Sequence, residues 1–459
     1  MSNSESRKLG EMPVRKLVFN MSLPIIISMI VQALYNVVDS IFVGQYNAEA
    51  LEAVSLAFPI QNLMIAVAVG IGVGTNALVA RFLGERRNDM ASNAANAGIA
   101  IAAVGYAIFA VLAIFVIKPF FHMQTGLQSV AAYGNEYLSV IMFFGMGIFI
   151  EIIAERLLQS TGKSKLSMIS QATGAVVNII LDPIFIFGYF GVPEMGARGA
   201  AIATVIGQII AAIIAVILNL THNKEIRLKI AQIIKPVGED VVKILKIGVP
   251  SMVLNAVTSI SVFVLNIILR GFSEYAITAY GIYFKLISFI YMPIFGLNNG
   301  LVPIFSYNYG SRQFKRIRQT YKVGIISALI YMAAGTVVFE LFALPFLHMF
   351  GATGEVEVIG LVAIHIMAIC FPMSGVDIIN STLFQSVGNP IHSLIVNIFR
   401  QLVILIPVAF LLSLTHNVNN VWWALPIAEA VSLLISIIFY RSLSLKLKNM
   451  EGNNAGAEI

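Results

Sequence analysis

The chain alternates long apolar stretches with short polar ones from end to end. Twelve stretches are apolar over about the 20 residues that a helix needs to cross a bilayer. They run roughly over 16–38, 52–83, 92–117, 130–158, 164–187, 195–219, 242–268, 274–302, 320–345, 358–386, 391–413 and 421–444. The runs are unbroken and do not alternate residue by residue, so they predict membrane-spanning helices and not the strands of a barrel. The stretches 52–83 and 274–302 exceed the bilayer at about 1.5 Å per residue, which predicts tilt or projection beyond the membrane. The first stretch is too long for a cleavable signal and lacks a small-residue cleavage site, so it is read as the first span. The expected fold class is an all-α membrane protein of twelve transmembrane helices.

The pattern occurs twice, at a shift of 226 residues. Pro24 falls on Pro250, Gly70 on Gly296, Gly74 on Gly300 and Gly84 on Gly310. Pro119 falls on Pro345, His122 on His348, Gln159 on Gln385 and Gly162 on Gly388, with no gap. An even number of spans per copy predicts parallel six-helix bundles related by an axis along the membrane normal. The expected division is an N-lobe over 1–219, a polar linker over 220–241 with a short amphipathic helix, a C-lobe over 242–445, and a disordered tail over 446–459. Parallel halves of this kind place a binding site between them.

Composition agrees: 58% of residues are hydrophobic and 11% charged, against about a quarter charged in soluble chains. Of the 29 Lys and Arg, the odd connections carry only Lys118, Arg198 and Arg270, while Lys285 and Arg400 lie within spans. The remainder sit in the even connections and the tails. This asymmetry predicts that both termini are cytoplasmic, in a bacterial inner membrane. The net charge of +6 is thus a topology signal. The basic clusters are short and lack interleaved aromatics, so no nucleic-acid partner is expected. The single Cys370 excludes a disulfide framework and a cysteine-based metal site.

Carboxylates inside spans are expensive and mark functional sites. Asp39 lies in the first stretch and Asp182 in the fifth, with Asn178 one helical turn before it and Pro183 directly after. Asn36 precedes Asp39 by three residues. Two carboxylates with amide oxygens form a hard-ligand set that takes a small cation or a proton. In the second copy Asp39, Asn178 and Asp182 become Leu265, Ile404 and Val408, so the coupling site is assigned to the N-lobe. Glu151 and Asp377 are the one acidic pair that respects the repeat; a cleft position and a helix end near the outer surface both fit them. Lys285 lies among aromatics and either pairs with Asp377 or lines the cleft. Phe58, Met64, Tyr283, Phe284, Phe289 and Tyr291, on the second and eighth stretches, are candidates for a substrate cavity, because Met and aromatic side chains adapt to varied ligands and attract cations.

The sequence contains no phosphate-binding loop, zinc-protease motif or serine nucleophile elbow, so an ion gradient and not ATP is the expected energy source. Several segments resemble the multidrug and toxic-compound extrusion (MATE) family over nearly the whole chain. They are SLPIIISMIVQALYNVVDSIFVG at 22–44, LLQSTGKSKLSM at 157–168, NIILDPIFIFG at 178–188, GARGAAIAT at 196–204 and GLVPIFSYNYGS at 300–311. The last of these, with YGIYFK, is most similar to the bacterial MepA-like branch. The resemblance implies two bundles in a V, exporting amphiphilic organic cations against entry of Na⁺ or H⁺, with no other cofactor. It implies a cation site at Asp39, Asn178, Asp182 and Thr204, the last on the resemblance alone. A second branch of the family carries a Glu in its seventh helix; the stretch PSMVLNAVTSIS at 250–261 has no acid, so a C-lobe sodium site of that type is not expected. The expected partners are small organic cations and the lipid bilayer, and the protein is expected to be a monomer and not an enzyme. Two alternatives stay open: a lipid-linked oligosaccharide flippase of similar architecture, and a membrane-embedded lipid-modifying enzyme.

Overall fold

The computed structural model describes residues 5–456 and is almost wholly helical, with no strand among them. The first lobe contains α1 (Val14–Tyr46), α2 (Ala48–Gly84), α3 (Asn88–Gln124), α4 in two pieces (Gln128–Phe143 and Met146–Ser160), α5 (Ser164–Phe187) and α6 (Gly196–His222). The second contains α7 (Gly238–Arg270), α8 (Glu274–Gly310), α9 (Phe314–Met349), α10 in two pieces (Glu355–Ala368 and Phe371–Ser386), α11 (Pro390–Ser413) and α12 (Ala424–Gly456). Ten helices are long and apolar enough to cross a membrane, and the bent pairs in α4 and α10 bring the number to twelve. At about 1.5 Å per residue, the 37 residues of α2, α3 and α8 reach well past the hydrocarbon layer.

The bends in α4 and α10, 46° and 48°, occur at repeat-related positions. In α10 the break precedes Pro372, which occupies the first turn of the second piece, where its missing N–H costs nothing. In α4 the mate of Pro372 is Met146, and the break falls at Phe144 and Gly145 instead. A side chain at Gly145 would meet the Ile141 carbonyl at 2.6 Å. Two different local devices thus produce one geometry. Pro183 does not interrupt α5, which runs on to a left-handed Gly188 cap.

The lobes meet through α1 against α8 and α2 against α7 and α8, along the half of the molecule nearest the termini. The repeated glycines form this seam. A Cβ at Gly70 would lie 2.8 Å from the Gly248 carbonyl, and one at Gly296 2.7 Å from the Ile26 Cα. Further toward the termini, a Cβ at Gly84 would strike the Tyr307 carbonyl, and one at its mate Gly310 the Arg81 carbonyl. Only residues without a side chain allow helices this close. Past the seam, α1 and α8 expose Leu34, Val37, Ile41, Phe284 and Phe289, and the lobes part.

Polar segments tie the same end together. Asn308 donates to the Leu9 carbonyl at 2.9 Å, and Arg316 to that of Met12 at 2.8 Å. The linker forms the short helix Ile230–Ile234, pinned where Asn96 of α3 donates to Gln232 at 2.8 Å and accepts from the Lys229 N–H at 3.0 Å. The Asn- and Gly-rich composition after Lys448 predicts a disordered tail, but α12 stays helical to Gly456, with Glu451 paired to Arg318 at 2.6 Å. Residues 457–459 of that segment lie outside the described residues.

Candidate functional site

In the N-lobe, α5 presents Asn178 and Asp182 on one face, a turn apart. Small residues bring α6 against that face: a Cβ at Gly207 would lie 2.7 Å from the Gly174 carbonyl and 3.2 Å from the Asn178 Cβ. This approach delivers Thr204. Asn178 Nδ2 donates to Asp182 Oδ1 at 3.2 Å and to Thr204 Oγ1 at 3.4 Å. All three side chains are buried, Asp182 completely. Asp39 of α1 is half-buried, and its charge bears on Asp182 and on the hydroxyls of Tyr35 and Tyr137.

What matters chemically is what these atoms lack. Asp39 Oδ1, Asn178 Oδ1 and Asp182 Oδ2 are buried without a hydrogen-bond partner. A buried acceptor left unpaired is costly; Asn178 and Asp182 present two of them on one face of α5 while the Asp39 charge bears on Asp182 from α1, which makes a seat for something that brings positive charge. An oxygen-only donor set suits a small hard cation or a proton. Asn36 is exposed, outside this cluster, so its expected part in the ligand set is not realised.

A cavity of about 470 Å³ lies between the lobes beside this cluster. Asn178 and Thr204 line it as well, so the two polar layers share residues. Glu151 and Asp377 line it from opposite lobes, each on the second piece of a bent helix. This decides their position in favour of the cleft. The Glu151 carboxylate has no hydrogen bond to any described residue. Asp377 accepts from the hydroxyls of Ser432 and Ser436 on α12. Asn380 donates to Ser436 at 3.0 Å and accepts from Tyr321 at 2.8 Å, which completes a satisfied network. Arg400 also reaches the cavity and binds Glu429 at 2.7 Å. It lies in a seven-residue π-helical segment, Phe399–Leu405, just before Pro407, which cannot donate to an α-helical ladder.

Other expectations are corrected. Of the six residues proposed for the substrate cavity, Tyr291 lines it. Met64 and Tyr283 are buried inside their own lobes, Met64 against Gly145 and Tyr283 beside Tyr280. Phe58, Phe284 and Phe289 are exposed and do not reach it. Lys285 is exposed on α8, neither paired with Asp377 nor on the wall of this cavity. The wall instead contains Glu155 and Arg156, both buried. Reading Arg156 as part of a basic connection missed them. The available signal was position: Glu155 lies one turn from Glu151, on the same helix face.

Two six-helix bundles, repeated in parallel, with a polar cavity between them and a buried oxygen cluster at its edge, define a multi-pass membrane transporter and not an enzyme. The chain belongs to the MatE family, whose model matches it twice, over residues 24–184 and 250–411. It is similar to the multidrug export protein MepA of Staphylococcus haemolyticus strain JCSC1435, 26% identical over 95% of both chains. It is likewise similar to MepA of Staphylococcus aureus strain MRSA252, 26% identical over 93% of both. Among solved structures, an outward-facing conformation of a multidrug resistance MATE family transporter superposes with a TM-score of 0.91 at 25% identity, covering 98% of this chain and 100% of that one.

Proposed function

We propose that the protein is an antiporter that exports amphiphilic organic cations by alternating access, driven by Na⁺ or H⁺ entering at Asp39, Asn178, Asp182 and Thr204. The observation that carries this reading is that Asn178 and Thr204 belong both to the oxygen cluster and to the cavity wall. An ion that captures these oxygens changes the surface offered to the substrate. That is the differential interaction coupling requires. Glu151 and Asp377 supply negative charge to a bound organic cation from both lobes, and the surrounding low dielectric strengthens it.

The distribution of basic residues supports an orientation with the seam on the cytoplasmic side of a bacterial inner membrane; in that orientation, with the seam closed, the cavity faces outward. The protein acts as a monomer in the lipid bilayer, without nucleic acid or another cofactor. A flippase for lipid-linked oligosaccharide needs a wide cationic cleft to hold diphosphate; a cavity of about 470 Å³ whose wall carries three carboxylates against two guanidiniums, one of them paired with Glu429, favours a small cation instead. A lipid-modifying enzyme finds no support in a family of export proteins.

The test is ethidium efflux from proteoliposomes with Na⁺ and pH gradients imposed separately. One gradient should drive wild-type efflux, and Asp182→Asn or Asp39→Asn should lower it by two orders of magnitude or more while the protein still purifies as a folded species. Gradient-driven efflux at the wild-type rate by either variant refutes the assignment.

A further inference from the structure

We propose that Arg156 forms a carboxylate-binding subsite in the central cavity, so that the molecules this protein favours carry a carboxylate as well as a protonated amine. The inference rests on the reading of that cavity as the substrate site and narrows its substrate class. Arg156 is 6% exposed, yet it lines the cavity. Its Nη1 donates to Gln159 Oε1 at 2.8 Å, and Gln159 in turn donates to Ser167 Oγ at 2.9 Å. Its stem lies across Gly72 of α2, where a Cβ would come within 3.0 Å of the Arg156 Cγ. The side chain is therefore held from two sides.

Its Nε and Nη2 have no hydrogen-bond partner among the described residues. Glu155 is next in sequence and its charge bears on Arg156, but its carboxylate accepts from Ser170 Oγ at 3.4 Å. The other guanidinium on the wall, that of Arg400, is committed to Glu429. Of these two cations Arg156 is thus the one whose side-chain hydrogen bond goes to a neutral amide and not to a carboxylate, and a planar guanidinium fork matches a carboxylate in bidentate fashion. The unpartnered Glu151 stands five residues away on the same helix, about 7.5 Å along its axis. An acid and a base at that spacing complement a zwitterion and not a lipophilic cation alone.

The repeat separates the guanidinium from the Gln–Ser pair beside it. Gln385 donates to Ser393 at 3.4 Å, copying Gln159 and Ser167. The mate of Arg156 is Thr382, which donates to Asn298 at 2.7 Å. The Gln–Ser pair is duplicated, whereas the guanidinium and the glycine it lies across are not: the mate of Gly72 is Asn298.

The experiment compares two probes in proteoliposomes of the full-length protein: a fluoroquinolone with a piperazinyl ammonium and a free carboxylate, and the ethyl ester of the same compound. Wild-type protein should transport the acid with the lower KM. Arg156→Gln should shrink the acid-over-ester preference by roughly 10–100-fold, the range for a lost hydrogen bond to a charged group. Arg156→Lys, which keeps the charge but loses the fork, should fall between them and serves if the Gln variant does not fold. Equal handling of acid and ester by the wild type, or an unchanged preference in both variants, overturns the proposal. Ethidium separates the failures. If ethidium is exported and the acid is not preferred, this inference alone fails. If ethidium is not exported, the cation-export reading fails and takes this inference with it.

Discussion

The two lobes share a backbone plan and use it differently at the places where their helices pair. In the N-lobe, Gly174 of α5 and Ala203 of α6 are small, and the helices close to backbone contact, as the 2.7 Å approach of a Gly207 Cβ to the Gly174 carbonyl shows. The repeat mates of these two residues are Arg400 and Glu429, which form a buried ion pair at 2.7 Å between α11 and α12. Asp39 and Asp182 differ from Asp377 in a related way, while Glu429 of the C-lobe also keeps one buried oxygen unpartnered. The N-lobe leaves Asp39 and Asp182 each with an unpartnered oxygen, while the C-lobe gives Asp377 two serine hydroxyls. Unpaired acceptors store an affinity that a ligand releases; paired ones hold a charge in place. A duplicated scaffold thereby leaves oxygens open in the lobe proposed to bind the ion and caps the cavity acid Asp377 in the other.

The largest test of that contrast, after loss of Asp182 itself, is to break the C-lobe pair. Arg400→Ala leaves the Glu429 carboxylate buried and alone, and should destabilise the protein by about 3–5 kcal/mol, seen as a lower midpoint of thermal unfolding in detergent. The double variant Arg400→Met with Glu429→Leu should recover most of the loss. If the single and double variants melt alike, the pair does not hold α11 to α12. A smaller effect is expected from Gly207→Val, which forces α6 away from α5. Overpacking of this kind costs about 1–3 kcal/mol, and displacement of Thr204 should weaken ion-driven efflux more than it lowers the melting midpoint. Unimpaired efflux would mean that the close approach does not position Thr204. The smallest effect belongs to Tyr321→Phe, which removes one hydroxyl from the network behind Asp377. It should cost about 1 kcal/mol and alter efflux by no more than a few-fold. A loss as large as that of Asp182→Asn would erase the distinction between the lobes.

Much of this architecture is legible in the amino-acid sequence, for identifiable reasons. Span number, the repeat and the Asn178–Asp182 face follow from period and spacing, which survive in one dimension. The partition of Phe58, Met64, Tyr283 and Tyr291 between lipid, core and cavity does not. All four sit on apolar helices, and only the rotation of each helix about its axis separates them. Arg156 is hidden for a related reason: it stands near the end of a span, where a basic residue ordinarily reaches water, and the depth of the cavity alone reveals that it does not. The satisfied state of Asp377 depends on Ser432 and Ser436, more than fifty residues away, and no local pattern announces that meeting.

The contact of Gly84 with the Tyr307 carbonyl, and of Gly310 with that of Arg81, has a consequence for leakage. A door sealed by naked backbone works like a ground-glass joint, tight because nothing protrudes from either face. One methyl group on either glycine is thick enough to hold it ajar. If the protein is the ion-driven exporter proposed above, a seam that never shuts lets the driving ion run downhill without cargo, so a change this slight would turn a pump into a drain.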